Sequence, residues 1–252
     1  HQNQHFMPYR RLPNTDSARL RAFKKAIEMS KEIPPFRLAF SMKTLVRIQA
    51  FMPLFENSIS HQRQMLVNQN EKAKANQDTA RKARLYLTHF LRVMNMAVTR
   101  GELPPETRTF YGIASDDGTL PSLATENELV AWGKRIIDGE EYRIRKGNSP
   151  VTNPTIAVVK VRYEKFLETR NHFKTVNRRA SECVNKTSDM RQEADELITL
   201  LWNEIEASFS SLPEEDKRSG AEKYGLVYVF RKNEMTRKDL SPTLFSAEQE
   251  NQ

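Results

Sequence analysis

The fold is decided by the stretch from Phe36 to Thr99, which reads FRLAFSMKTLVRIQAFMPLFENSISHQRQMLVNQNEKAKANQDTARKARLYLTHFLRVMNMAVT. It contains no glycine and one proline, Pro53. Mostly apolar residues recur in it every seven positions, at Leu45, Met52, Ile59, Leu66, Ala73, Ala80, Leu87 and Met94, with companions three places on at Ile48, Phe55, Gln62, Gln69, Asn76, Ala83, Phe90 and Ala97. This spacing is typical of a helix packed against another helix. It predicts a first long helical unit over residues 36–100.

The middle of this unit is polar, because Gln62, Gln69 and Asn76 occupy positions where a helix seam is usually apolar. Two structures fit this pattern. The helix could run unbroken, since the repeat keeps its phase, or the chain could reverse near residues 68–78 to form a helical hairpin with a polar turn. The sequence leaves both open.

A second long helical unit is predicted over residues 154–212. Its seven-residue repeat consists of Val159, Phe166, Phe173, Ala180, Thr187, Ala194, Leu201 and Ser208, with Val176, Cys183, Met190 and Leu197 three places on from four of them. Its centre is again polar, so it too fits either a continuous helix or a hairpin. Two such units predict an all-α helical bundle.

The remaining segments predict the rest of a single helical domain over residues 1–252. Residues 1–14 are expected to form an extended arm, and residues 15–32 a first helix capped by Thr15 or Asp16. Residues 101–153 hold six of the eight glycines and predict an irregular crossover. Within it, Thr125 and Glu128 form a capping box that opens a short helix ending near Ile137.

The C-terminal part is predicted to contain a short helix and a strand over residues 213–232, followed by a polar tail over 233–252. The strand is the β-rich run Leu226–Phe230. A lone strand leaves backbone groups unpaired, so it needs a partner. Residues Thr109–Ile113 are the best internal candidate, and another protein chain is the alternative.

Composition excludes several classes of protein. No apolar run approaches the roughly 20 residues of a membrane-spanning helix, so integral membrane association is not expected. The single cysteine, Cys183, excludes an internal disulfide framework and a multi-cysteine metal site. A seam position predicts that Cys183 is buried and inert, and an apolar context predicts a core position for His89. No metal, cofactor or catalytic motif is recognisable, so we expect no cofactor and no enzymatic activity.

Positive charge is concentrated in the first hundred residues, which hold 18 Lys and Arg against 6 Asp and Glu. Such asymmetry indicates either a solvated helical face or a surface for nucleic acid. The candidate nucleic-acid-binding residues are Lys72, Lys74, Arg81, Lys82 and Arg84. A second basic patch surrounds the arm and first helix and comprises Arg10, Arg11, Arg19, Arg21, Lys24 and Lys25.

A third hypothesis is an enzyme or cofactor carrier with a site where the crossover meets the end of the bundle. The polar and aromatic groups that could meet there are His89, Tyr111, Asp116, Asp117, Trp132 and Arg143. Nothing in their spacing indicates a particular chemistry.

Several short motifs together resemble a family of uncharacterised bacterial helical-bundle proteins. They are Arg11-Leu12-Pro13-Asn14-Thr15-Asp16, Tyr86-Leu87-Thr88-His89-Phe90, Arg100-Gly101-Glu102, Trp132-Gly133, Asn153-Pro154 and Tyr224-Gly225-Leu226-Val227-Tyr228-Val229. The resemblance implies a helical bundle and supplies no catalytic residues.

The leading functional hypothesis is a non-enzymatic helical scaffold or protein-interaction protein, with a protein partner or self-association. Nucleic-acid binding through the first hundred residues is the alternative. The single cysteine and the absence of a recognisable signal favour a cytoplasmic location.

Overall fold

The structure is a computed structural model that describes residues 7–116 and 118–231. The elements in chain order are β1 (Tyr9–Arg10), α1 (Asp16–Glu32), α2 (Met42–Thr99), a 3₁₀ helix (Pro105–Tyr111), α3 (Glu126–Arg145), α4 (Ile156–Ser208), α5 (Glu214–Lys223) and β2 (Tyr228–Val229). The prediction of an all-α fold is confirmed. The predicted tail over 233–252 lies outside the described residues.

Each long unit forms one continuous helix and not a hairpin. Helix α2 runs for 58 residues and α4 for 53, so their polar centres do not interrupt the helical hydrogen bonding. The seam prediction fails at Leu66, which is 56% exposed. The failure is local, because Ala80, Leu87 and Met94 of the same repeat are buried further along the helix.

The chain divides into two compact parts. We call residues 1–62 and 183–252 the terminal module, and residues 63–182 the central module. The sequence predicts one domain over 1–252, and that stays a prediction. The two modules are described separately below.

The terminal module combines α1, α5, the β pair and the adjoining portions of α2 and α4. The two long helices run antiparallel here, because Thr44 contacts Glu204 while Ser58 contacts Thr187. Helix α1 begins at the predicted N-cap, where Thr15 Oγ1 accepts the Ala18 N–H. The apolar core includes Phe23, Ala26, Ile48, Phe55, Leu197, Leu201, Trp202 and Ile205.

The strand pairing differs from the prediction. Strand β2 pairs antiparallel with β1, so that Tyr9 faces Val229 and Arg10 faces Tyr228. The predicted partner, Thr109–Ile113, is wrong: residues up to Tyr111 belong to the 3₁₀ helix. The arm contains no regular hydrophobic pattern, so its role as the second strand left no signal in the sequence.

The central module holds the crossover together with the adjoining portions of α2 and α4. Helix α3 begins at the predicted cap, where Thr125 Oγ1 accepts the Glu128 N–H. It continues to Arg145, so the predicted end near Ile137 is wrong. Gly139 lies inside α3 and serves its packing. A Cβ at position 139 would collide with the Phe110 carbonyl, so the glycine lets α3 lie close to the 3₁₀ helix.

Candidate functional site

The five predicted nucleic-acid-binding residues all lie on α2, and they do not share one face. With 3.6 residues per turn, Lys74 and Arg81 are about 20° apart around the helix. Lys72 is about 160° from Lys74 and therefore points to the other side. Lys74, Arg81 and Lys82 are exposed, whereas Lys72 and Arg84 are half-buried.

Two of these five side chains already have partners. Arg84 Nε donates to the Leu123 carbonyl at 2.7 Å, and a second guanidinium nitrogen donates to the Ala124 carbonyl at 3.3 Å. Arg84 therefore holds the loop that leads into α3. Arg81 forms an exposed ion pair with Asp78 at 3.1 Å. Among the described residues, the amino groups of Lys72, Lys74 and Lys82 have no ion-pair partner.

The second basic patch, around the arm and α1, separates into paired and unpaired residues. Arg19 Nε binds Asp195 at 2.8 Å, and Arg10 donates to Asn203 at 2.8 Å. Lys24 and Lys25 pair with single glutamates, Glu56 at 3.2 Å and Glu28 at 3.3 Å. The guanidinium groups of Arg11 and Arg21 have no hydrogen-bond or ion-pair partner within the described ranges.

Four of these cations, Arg11, Arg21, Lys24 and Lys25, border a cleft in the terminal module with a volume of about 680 Å³. One wall is a face of α1, where Ala18, Arg21, Lys25 and Glu28 recur at helical spacing. The remaining wall comes from the segment before α1, from α4 and from the segment between α5 and β2. The full lining is Arg11, Leu12, Pro13, Asn14, Thr15, Ala18, Arg21, Ala22, Lys24, Lys25, Glu28, Trp202, Gly225 and Val227.

Trp202 contributes to this lining and is the largest fully buried side chain of the chain's described part, with 1% of its surface exposed. Its indole Nε1 is buried and has no hydrogen-bond acceptor among the described residues. An indole nitrogen is a donor only, and a buried donor without an acceptor costs about 1–3 kcal/mol. Within the described part of the chain, Asn76 Oδ1 of the central module is also buried without a partner, but its amide is anchored through Nδ2 to Glu126 at 2.8 Å.

Gly225 shapes the same cleft. It has a φ of +99°, which side-chain-bearing residues rarely adopt, and a Cβ there would lie 3.1 Å from Lys25 Cγ. The glycine therefore allows the chain to turn out of α5 while the aliphatic part of Lys25 packs against it. The sequence analysis predicted the basic patch that contains these cations, but no sequence pattern indicated that Trp202 and Gly225 lie beside it.

A second surface of the terminal module is an apolar stripe on α2. Met42, Val46, Ala50 and Pro53 follow one another at intervals of four, four and three residues, with Leu54 next to them. All five are exposed, including Val46 at 59% and Leu54 at 61%. We call these five residues the apolar stripe.

The residues of the enzyme hypothesis do not converge. Tyr111 and Arg143 are buried and both bind Glu140: the Tyr111 hydroxyl donates at 3.0 Å and Arg143 Nε at 2.8 Å. Burial, followed by the nearby Glu140 charge, raises the pKa of Tyr111 well above its usual range. The members of this cluster are buried and satisfy one another's hydrogen-bonding groups, which is the arrangement of a structural cluster.

The other members of that hypothesis lie elsewhere. The predicted core position of His89 is wrong: His89 is exposed on α2 and lines a 600 Å³ cleft of the central module. The apolar neighbours of His89 in sequence face a different side of the helix. Asp116 is exposed, Trp132 is half-buried under Arg135 at 4.8 Å, and Asp117 lies outside the described residues. Cys183 is buried, as predicted.

Comparison with family models, curated proteins and solved structures gives no match for this chain. The family resemblance therefore stays a prediction. In residues 7–116 and 118–231, no helix has the length and apolarity needed to cross a membrane. Over the same ranges, no three His, Cys, Asp or Glu side chains are grouped as metal ligands would be.

Proposed function

We propose that this chain is a non-enzymatic helical protein that acts by binding another protein through the apolar stripe of α2. The observation that carries the proposal is the stripe itself. Isolated exposed apolar residues are common on protein surfaces, but a contiguous group at helical spacing is typical of an interaction face. The stripe lies on the side of α2 opposite the buried Leu45, Ile48 and Phe55.

Pro53 adds a polar feature to this face. Proline has no N–H, so the carbonyl of Gln49 lacks the donor that the helix would otherwise supply. Gln49 is an exposed residue, so its carbonyl can accept a hydrogen bond from a partner. An apolar stripe with such an acceptor suits the apolar face of a partner helix, either from another protein or from a second copy of this chain.

Site-specific photo-crosslinking in cells that produce the protein tests this proposal. A photoreactive phenylalanine analogue is placed at Val46 or Leu54, and at Val161 in the central module as the control, which is 65% exposed. We expect discrete crosslinked species from positions 46 and 54 that are absent at 161. Crosslinks of equal yield at all three positions, or none at 46 and 54, would contradict the proposal.

A matched substitution identifies the role of the stripe. Val46→Glu combined with Leu54→Glu should abolish the crosslinked species or the self-association measured by sedimentation, since a buried unpaired carboxylate opposes docking. Val161→Glu should leave both unchanged. A cytoplasmic location forms part of this proposal and is supported by the single cysteine.

Nucleic-acid binding is the second candidate function. The observation that favours it is that Lys74 and Lys82 are exposed on α2 without ion-pair partners among the described residues. A protein that uses 6–10 phosphate contacts should lose roughly 10³–10⁵ in affinity between about 50 and 200 mM salt. Fluorescence anisotropy with short single- and double-stranded oligonucleotides measures this loss.

Two variants distinguish a phosphate-binding face from general positive charge. Lys74→Gln combined with Lys82→Gln should weaken binding and flatten its salt dependence, because each lysine that contacts phosphate releases counterions. Arg37→Gln, an exposed control in the terminal module, should change neither. Absence of binding at low salt would exclude this function.

A further inference from the structure

We propose that the cleft bordered by α1 and Trp202 binds a small organic phosphate, namely a phosphate monoester attached to an apolar body. This inference is independent of the apolar stripe and assigns a ligand site to a different surface of the terminal module. Its supports are the unpaired cations, the buried indole donor and the composition of the walls.

The charge of the cleft matches a doubly negative group. Four cations line it against one carboxylate, Glu28. Lys24 and Lys25 are each occupied by a glutamate, which leaves the guanidinium groups of Arg11 and Arg21 without partners within the described ranges. Arginine binds phosphate through two parallel N–H groups, and a phosphate monoester carries about −1.5 to −2 charge near pH 7.

The indole of Trp202 lacks the acceptor that such a ligand would supply. Buried polar groups in folded proteins are hydrogen-bonded in the large majority of cases, and an exception next to a cleft is unusual. Nε1 itself has almost no accessible surface, so the residues that cover it must move when the ligand binds. A phosphate oxygen can then accept from the Nε1–H without requiring a proton in return. Binding would therefore remove the cost that Trp202 imposes on the unliganded protein.

The walls of the cleft have room and apolar surface for the rest of the molecule. Leu12, Pro13, Ala18, Ala22 and Val227 line it together with the Trp202 ring. The volume of about 680 Å³ lies within the range of about 300–1,000 Å³ that is usual for small-molecule sites. Thr15 at the start of α1 is also part of the lining, and the first amides of a helix favour negative charge nearby.

Isothermal titration calorimetry of the full chain with phenyl phosphate tests the proposal. Inorganic phosphate, benzyl alcohol and benzoate serve as the ligands that lack the apolar body, the charge and the second negative charge, respectively. We expect saturable binding of phenyl phosphate at one site, weaker binding of the other anions, and none of benzyl alcohol. Failure of phenyl phosphate to bind at about 1 mM, or tighter binding of benzyl alcohol, would overturn the proposal.

Variants locate the binding. Arg21→Gln and Arg11→Gln should each weaken phenyl phosphate by about tenfold, which corresponds to the loss of one charge-assisted contact. Arg37→Gln removes the same charge from an exposed position outside the cleft and should change affinity by less than about twofold. Equal weakening by all three variants would show that only net charge matters, and would overturn the assignment.

Trp202→Phe tests the donor separately. It keeps an aromatic ring but removes the N–H, so phenyl phosphate affinity should fall at least about fivefold. Because this variant also changes a buried side chain, its thermal unfolding is measured beside Trp132→Phe, which keeps the cleft intact. If Trp202→Phe is folded and binds with wild-type affinity, the indole is not part of the site and the proposal fails.

Discussion

Each module contains a fully buried polar side chain, and the two side chains differ in whether the chain supplies their partners. In the central module, Glu140 is fully buried but accepts from both Tyr111 and Arg143, and Arg143 also donates to the Ser149 carbonyl at 2.6 Å. In the terminal module, the indole nitrogen of Trp202 is also buried but has no acceptor within residues 7–116 and 118–231. The chain itself supplies the hydrogen-bond partners of Glu140, whereas the described residues supply none for the Trp202 indole.

The Glu140 group is a structural cluster, whereas the Trp202 indole is the group for which we propose a ligand. A buried ion pair requires that all its members remain, because removal of one leaves the other charge uncompensated. Under our proposal, a phosphate that enters the cleft completes the Trp202 donor once the residues that cover Nε1 move. The volume of a cleft does not by itself indicate a ligand site, since the 600 Å³ cleft near His89 is nearly as large as the cleft near Trp202.

The largest expected effect is that of Glu140→Gln in the central cluster. Loss of this carboxylate leaves the buried Arg143 guanidinium without a counter-charge, so the free energy of unfolding should fall by about 3–5 kcal/mol. Denaturant unfolding monitored by circular dichroism measures it. The adjacent Glu141→Gln is the control: Glu141 forms a partly exposed pair with Lys160, so this substitution should change the free energy of unfolding far less. Equal losses of unfolding free energy for the two substitutions would contradict the claim that burial makes the Glu140 charge important for stability.

Tyr111→Phe should have the next largest effect. It removes the hydroxyl that donates to Glu140 while keeping the ring that packs on Phe90 with centroids 5.9 Å apart. A hydrogen bond to a charged group contributes about 1.5–3 kcal/mol, and the free energy of unfolding should fall by that amount. In the Glu140→Gln background the same substitution should cost clearly less, and additive costs would contradict the coupling.

An ionic cluster at the surface of the terminal module should depend on pH. Asp16 accepts from Arg191 Nε at 2.9 Å and from Arg19 at 3.1 Å, and the Arg191 hydrogen bond is the main reason that the pKa of Asp16 lies below its ordinary value of 3.8. This stabilisation is present above the ordinary value and is lost as the pH falls through the lowered pKa.

Asp16→Asn should therefore lower the free energy of unfolding by about 1.5 kcal/mol at pH 7, and by progressively less below about pH 4. Denaturant unfolding of both proteins across this pH range measures the difference. A difference that is constant down to about pH 2 would show that the charge of Asp16 is not responsible.

The helix caps should have the smallest effects, and similar ones in both modules. Thr15→Ala and Thr125→Ala each remove a side chain that accepts a backbone N–H at 3.1 Å. Each should lower the free energy of unfolding by about 1 kcal/mol, whereas Thr15→Asn and Thr125→Asn should nearly restore it. A cost to alanine that asparagine does not restore would contradict capping as the cause.

The sequence predicted features that depend on neighbours along the chain. Helix starts at Thr15 and Thr125 were correct because capping acts over three residues, and the all-α class was correct because the seven-residue repeat reports packing along a whole helix. The polar centre at Gln69 did not break α2: its side chain contacts Asn177 of the antiparallel α4. That contact depends on residues far apart in sequence.

Features that depend on contacts between residues far apart in the sequence could not be predicted from it. Arg84 resembles a free cation in a basic run, but it binds the loop carbonyls of Leu123 and Ala124, about 40 residues away. His89 looked buried because its neighbours are apolar, yet its own face of α2 is exposed. The cleft brings Arg11 and Arg21 beside Trp202 and Gly225, almost 200 residues further along the chain, and no local pattern encodes this proximity.

The most direct measurement is the ¹H–¹⁵N spectrum of the two tryptophan indoles during titration with phenyl phosphate. The chain has only Trp132 and Trp202, and Trp132→Phe assigns their signals. A new hydrogen bond should shift the Trp202 indole proton downfield and slow its exchange with solvent, while the Trp132 signal stays in place. If the Trp202 signal does not move at saturating ligand, or both signals move together, the indole of Trp202 is not completed by a bound phosphate.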